Sequence, residues 1–257
     1  MDYITNYYQN LSEEDGRLFT DNKHKTEFIL TIDYIDKYLQ KEMRILELGA
    51  GTGAYSLYYA QQGYQVDALE PVEKNLNILK SKITKSMNIE PVLGNALDLS
   101  MYEQNTFDMV LCLGPMYHLD GEEREKCLEE ALRVTKPNGL IYLAYISNNF
   151  TFVKCLKKFD NYVEKYKEEI QEGFKLDDSQ KVFTFMYPEE MEKLVSKYNL
   201  EKLHHLTTDG ISSLISERLN TLPESEFKVW IEYLRSTAER EDQLGYGEHL
   251  LYITRKI

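Results

Sequence analysis

Residues 45–56 read ILELGAGTGAYS: an apolar run carrying one acid, three glycines alternating with small residues, then a helix-compatible stretch. A buried strand that breaks into such a turn lets a ligand approach the backbone closely, and the helix after it offers unpaired N–H groups to polar ligand atoms. The chemistry is that of a nucleotide-type cofactor site. Gly49, Gly51 and Ala54 satisfy the dinucleotide pattern G-x-G-x-x-G/A, with Glu70 near the distance expected of a ribose-binding acid.

Glu47 argues for a different tenant. A carboxyl inside an otherwise apolar strand is costly unless it faces a polar or cationic ligand. It would repel a pyrophosphate, whereas the ammonium and sulfonium of S-adenosylmethionine would meet it favourably. Alternation of Gly49, Gly51 and Gly53 leaves room for a compact methionine–adenosine ligand.

The elements that must position this turn follow from hydrophobic period and punctuation. Strands are predicted over 44–48, 65–70, 90–93, 107–113 and 139–146, alternating with helices, as in a parallel sheet with crossovers. The helix after the turn runs over about 52–62 and stops at Gly63, which suits a left-handed C-terminal cap. Pro71 is expected to open the next helix, which buries Leu76, Leu79 and Ile83. Asp120 and Glu123 suggest a capping box for a helix ending at Val134, and 136–139 reads as a turn. Beyond Ile146 the spacing predicts an amphipathic helix over 148–172 with Phe152, Leu156, Phe159, Val163, Tyr166 and Ile170 on one side. A helix from Pro188, a strand over 200–207, a helical insertion over 209–242 and a terminal strand over 248–256 complete the chain.

In order and spacing, Glu47 to Gly53, Glu70, Gly94 to Ala96 and Arg133 to Gly139 resemble the motifs of class I S-adenosylmethionine-dependent methyltransferases over roughly residues 42–146. The resemblance implies an α/β, Rossmann-like, seven-stranded and mostly parallel sheet with one antiparallel strand and helices on both faces. It implies an N-terminal helical cap over 1–40 and a methyltransferase domain over 41–257, with helical lid insertions at about 148–187 and 209–242. Glu47 and the backbone of Gly49, Ala50, Gly51, Thr52 and Gly53 would hold the methionine portion. Glu70, made extended by Pro71, would accept the ribose hydroxyls; Asn95 and Ala96 would meet the adenine, and Leu113 and Gly114 would border the ligand. S-adenosylmethionine would leave as S-adenosylhomocysteine, and no metal is expected.

For the methyl acceptor, the informative string is LGPMYHL at 113–119. Amine-modifying nucleic-acid methyltransferases carry a side-chain oxygen where Gly114 stands, so tRNA or protein methylation is disfavoured and a small-molecule acceptor is expected. The string resembles a bacterial subgroup of small-molecule methyltransferases. His118 is the candidate base, since an unperturbed imidazole pKa near ~6.5 suits proton removal at neutral pH; its bland alternative is a histidine tied to loop backbone. Tyr117 would orient the acceptor. Tyr3, Tyr7 and Tyr8, with Arg17 and His24, are candidate substrate contacts from the cap, Arg17 as a grip on an acceptor carboxylate.

Thirty Lys plus Arg against 43 Asp plus Glu give the 257-residue chain a formal charge of −13. Such a surface repels nucleic-acid backbones and anionic membranes, so neither is an expected partner. No apolar run approaches the ~18 residues needed to span a bilayer and no signal peptide is visible, so a cytoplasmic monomer or homodimer is expected. Cys112, Cys127 and Cys155 form neither a disulfide framework nor a metal motif. Two other readings stay open from the residues: an NAD-dependent oxidoreductase and a catalytically silent S-adenosylmethionine-binding protein.

Overall fold

The chain begins with α1 (Asp2–Asn10) and α2 (Asn22–Asp36), then alternates through β1 (Arg44–Leu48), α3 (Ala54–Gln61), β2 (Gln65–Glu70), α4 (Glu73–Lys82), β3 (Ile89–Leu93), β4 (Phe107–Cys112), α5 (Gly121–Val134) and β5 (Thr135–Ile146). There follow α6 (Asn148–Lys158), α7 (Tyr162–Lys165), α8 (Pro188–Val195), β6 (Leu200–Thr207), α9 (Ser216–Leu219), α10 (Glu224–Thr237), α11 (Glu241–Leu244) and β7 (His249–Lys256). The computed structural model describes residues 2–168, 170, 174–176 and 182–257.

One sheet of seven strands runs β3-β2-β1-β4-β5-β7-β6, and β7 is antiparallel to both neighbours while the first five strands are parallel. The expected α/β architecture is therefore present, with β7 as its one reversed strand. Ile45, Leu46 and Leu48 are wholly buried, because β1 is central and covered on both faces. Chain order turns outward in both directions from β1, so the crevice at the carboxyl ends of β1 and β4 is the switch point where open α/β sheets bind ligands.

Local differences from expectation have physical causes. The helix expected over 148–172 is broken: Phe159 is extended and Asn161 is left-handed at φ 57°, a conformation Asn tolerates better than most residues. Leu156, Phe159 and Val163 consequently stay exposed instead of forming a buried stripe; positions 169, 171 and 172 lie outside the described residues. The capping box at Asp120 does not form, since that side chain makes no cap bond. Residues 136–139 fall inside β5 as an irregularity with Asn138 at φ 63°, so turn chemistry and strand pairing coexist there.

Gly53 closes the glycine turn at φ 90°, and a Cβ added there would sit 2.9 Å from Leu79 Cγ. Gly53→Ala is expected to lower the unfolding free energy by about 2 kcal/mol in urea denaturation, through left-handed strain and overlap. Gly245→Ala, where no atom lies within 4 Å, should change it by less than about 0.5 kcal/mol. Equal effects at the two sites would contradict this account of the turn.

Candidate functional site

At the end of β1 the chain reverses through Gly49, whose N–H donates to the Leu69 carbonyl at 2.8 Å. A Cβ at Gly49 would meet Pro115 Cδ at 3.2 Å, so the turn and the loop after β4 lie against each other. Glu70 is fixed by two backbone donors: Gly51 N–H at 2.7 Å and Val72 N–H at 2.9 Å, one to each oxygen. Burial raises its pKa to about 6, against those hydrogen bonds, so it is ionised at neutral pH and keeps lone pairs for further donors.

Glu47 is 2% exposed. Burial raises its pKa from 4.5 to about 8, a Ser56 hydrogen bond opposes the shift, and the nearby Glu70 charge adds to it. Among the described residues no cation contributes to that balance, so the carboxyl stays largely protonated at pH 7.

Two small cavities flank the glycine turn. One, of about 60 Å³, is lined by Glu47, Gly49, Ala50, Gly51, Thr52 and Leu113 among others; the second, about 80 Å³, by Gly49, Gly51, Glu70, Pro71, Asn75, Gly114 and His118. Gly53 faces a separate open groove behind Thr52. The structure thus gathers most of the residues expected around the cofactor. Asn95 and Ala96 border none of these spaces: Asn95 Oδ1 accepts from Leu97 N–H at 3.0 Å, and Ala96 packs in the core.

A third cavity, of about 350 Å³, opens beside them under the cap. Glu14 and Tyr117 line all three, and Arg17 lines this one and the smaller. Its aromatic wall is built by Tyr7, Tyr8, Tyr117, Phe183 and Phe185, with the Tyr117 and Phe183 rings 28° apart in plane and 6.4 Å between centroids. Arg124 on α5 secures this wall: Nε donates to the Met116 carbonyl at 3.2 Å, and Nη2 to the Leu119 carbonyl at 2.6 Å and Thr184 Oγ1 at 2.7 Å. Thr184 N–H in turn donates to the Tyr117 carbonyl at 2.8 Å.

His118 has both nitrogens engaged. Nδ1 lies 2.6 Å from the Val182 carbonyl, which can only accept, so Nδ1 carries the proton and Nε2 accepts from the Tyr8 hydroxyl at 3.0 Å. Burial lowers its pKa to about 4, holding the ring neutral. Tyr7, Arg17, His24 and Tyr117 line the large cavity, whereas Tyr3, 66% exposed, lines none of the three. Arg17 is already bound, to Glu14 at 3.0 Å and to both oxygens of Glu27 at 3.1 and 3.4 Å.

The remaining wall, with Lys154, Glu248 and His249, is ionic, and Glu27 and Asp209 pair with it from outside the lining. Burial alone would discharge His249, but Glu27 and Asp209 raise its pKa to about 9, and Nδ1 lies 2.8 Å from Asp209 Oδ2. Glu248 is held down to about 2 against burial by His249 and Lys154. Asp209, Glu248 and His249 place ligand-type atoms within 4.8 Å of one another. Those atoms are occupied by protein partners, with Lys154 and Ser213 on Glu248.

Residues 45–139 match the methyltransferase domain family. The seven-stranded sheet around that segment has the fold of solved S-adenosylmethionine-dependent methyltransferases. The chain is 35% identical to a demethylmenaquinone methyltransferase of Renibacterium salmoninarum over 105 residues, 41% of this chain and 42% of that protein. It is 24% identical to a ubiquinone biosynthesis O-methyltransferase of Azoarcus sp. over 123 residues, 47% of this chain and 52% of the relative. The matches therefore span about half or less of these relatives. A solved S-adenosylmethionine-dependent methyltransferase from Methanosarcina mazei superposes with TM-score 0.58 at 19% identity, covering 87% of this chain and 97% of the other. One from Thermotoga maritima, described as a possible histamine N-methyltransferase, gives 0.59 at 18%, covering 99% and 100%.

Local sequence patterns do not single out Glu14, Lys23, Asn75, Lys154, Phe183, Phe185, Glu248 and His249, which line the cavities from distant segments. No local motif marks them.

The Glu47 shift has a measurable consequence. Between pH 4.5 and about 8 the unfolded chain has released this proton while the folded chain keeps it, so raising pH across that window costs stability. Relative to Glu47→Gln, the ligand-free wild type should lose up to about 1.4 kcal/mol per pH unit there, read from urea midpoints. Parallel pH profiles for the two proteins would contradict the burial assignment.

Proposed function

We propose that this chain transfers a methyl group from S-adenosylmethionine to a small-molecule acceptor in the 350 Å³ cavity. The single observation that carries this reading is the shared wall: Glu14 and Tyr117 border both the glycine-turn cavities and the larger one, so a donor and an acceptor would meet across them. When bound, the cofactor supplies an electrophilic methyl group for in-line displacement.

The chain's own residues fit such a guest. Glu47, buried without a cation, is matched by the ammonium of a methionine moiety, and its ionisation would be restored by that charge. Glu70, pinned by Gly51 and Val72, presents free lone pairs to a pair of hydroxyls. Much of the acceleration in a displacement of this kind comes from positioning and from water exclusion. The cap supplies the latter: Lys74 of α4 donates to the Ser12 carbonyl at 3.2 Å and Lys82 of the same helix pairs with Asp15, tying the cap to α4.

Tyr117 keeps the role of orienting the acceptor, since its ring borders all three spaces. His118 acts through Tyr8 as a positioning residue, because both its nitrogens are engaged and burial makes it a weak base. An acceptor that must lose a proton has Glu14 nearer at hand, whose second oxygen has no hydrogen-bond partner among the described residues.

Incubation with methyl-labelled S-adenosylmethionine and a metabolite extract should yield label in the small-molecule fraction. Glu70→Ala should weaken S-adenosylmethionine binding at least about tenfold, from two lost charge-assisted hydrogen bonds. Label in RNA or protein alone, or an unchanged affinity in Glu70→Ala, would overturn the reading.

A further inference from the structure

We infer that the acceptor is a small aromatic molecule bearing a carboxylate, and that Lys23 grips that carboxylate; this rests on the large cavity being the acceptor site. The argument is an inventory of unspent hydrogen-bonding capacity on the polar wall.

The acids on that wall, Glu14 and Glu248, and the two that pair with it, Glu27 and Asp209, are almost fully committed. Glu248 has one oxygen on Lys154 and the other on Ser213; Glu27 has both on Arg17. Asp209 accepts from His249 Nδ1 and from the backbone N–H groups of Glu248 and His249. Only the second oxygen of Glu14 is left as an anionic acceptor among the described residues. A cationic acceptor molecule would find little to pair with.

The cations are not matched in the same way. Lys23 stands at the start of α2 and lines the cavity, and its ammonium donates to His24 Nε2 at 3.3 Å. His24 can accept there because Asp21 Oδ1, 2.8 Å from Nδ1, fixes the opposite proton, and because burial and Lys23 lower its pKa. Among the described residues no carboxylate lies within ion-pair distance of Lys23, so two of its three N–H donors are unspent. His249 adds a second unspent donor, since its bonds are made through Nδ1 and leave the Nε2–H without a partner among the described residues.

A chain of net charge −13 thus gathers a surplus of cationic donors in one cavity. The complement of a donor surplus is an oxyanion, and a single ammonium suits a monoanionic carboxylate. The facing wall of Tyr7, Tyr117, Phe183 and Phe185 calls for a flat ring. Arg17, saturated by Glu14 and Glu27, buttresses the wall and leaves the grip to Lys23.

The test is calorimetric titration of the full chain, saturated with S-adenosylhomocysteine, with phenylacetate, phenethylamine and benzyl alcohol. Phenylacetate should bind at least about tenfold more tightly than the other two. Lys23→Gln should abolish that advantage while leaving S-adenosylhomocysteine affinity within about twofold. Phenethylamine or benzyl alcohol binding as well as phenylacetate, or a carboxylate preference that survives Lys23→Gln, would overturn the inference. Failure of S-adenosylhomocysteine to bind would instead strike at the proposed function, and the same three titrations on the free protein would still decide the carboxylate question.

Discussion

A carboxyl buried at the carboxyl end of a central strand, with no cation to answer it, is the constraint around which this molecule is organised. Glu47 lies in β1 between residues that are wholly buried, and Ser56 on the following helix donates to it from both side chain and backbone. Removing a charge from water is expensive, so the free protein keeps the proton instead. The arrangement makes sense as half of an interaction whose other half arrives with a ligand. Stability is given up locally so that binding can recover it.

The neighbouring elements are held closely around that point. The glycine turn folds back on Leu69 and against Pro115; Glu70 is locked by two backbone donors before any guest arrives. Over these the cap lays Tyr8 and Glu14, and the 182–186 strap adds Phe183 and Phe185. The strap itself is held by backbone bonds from Met186 to Ile146 and from Asn148 to Met186. Rigid sheet edge, tied cap and strap together enclose adjoining spaces with a common wall.

The sheet was legible in the sequence because its signals are local. Apolar runs of strand length, Gly63 as a left-handed stop and the ordered motifs from Glu47 to Gly139 each act within a few residues. The helix expected over 148–172 fails for the opposite reason: its apolar period continues across Asp160 and Asn161, but Phe159 is extended and Asn161 left-handed, so the chain turns there. His118 stood out by type, yet its partners Tyr8 and Val182 lie 110 and 64 residues away, so its engagement was invisible. The ionic cluster of Glu27, Lys154, Asp209, Glu248 and His249 is likewise assembled from four distant segments. Spacing cannot announce such a cluster.

The central claim is that Glu47 is protonated in the free protein and ionises against a cationic methyl donor. Its most direct test is the count of protons released when S-adenosylmethionine binds at pH 7, measured by calorimetry in buffers of different ionisation enthalpy. The wild type should release about one proton more than Glu47→Gln, because binding pulls the Glu47 pKa from about 8 to below the working pH. An equal proton count in the two proteins, or binding of NAD in place of S-adenosylmethionine, would contradict the account.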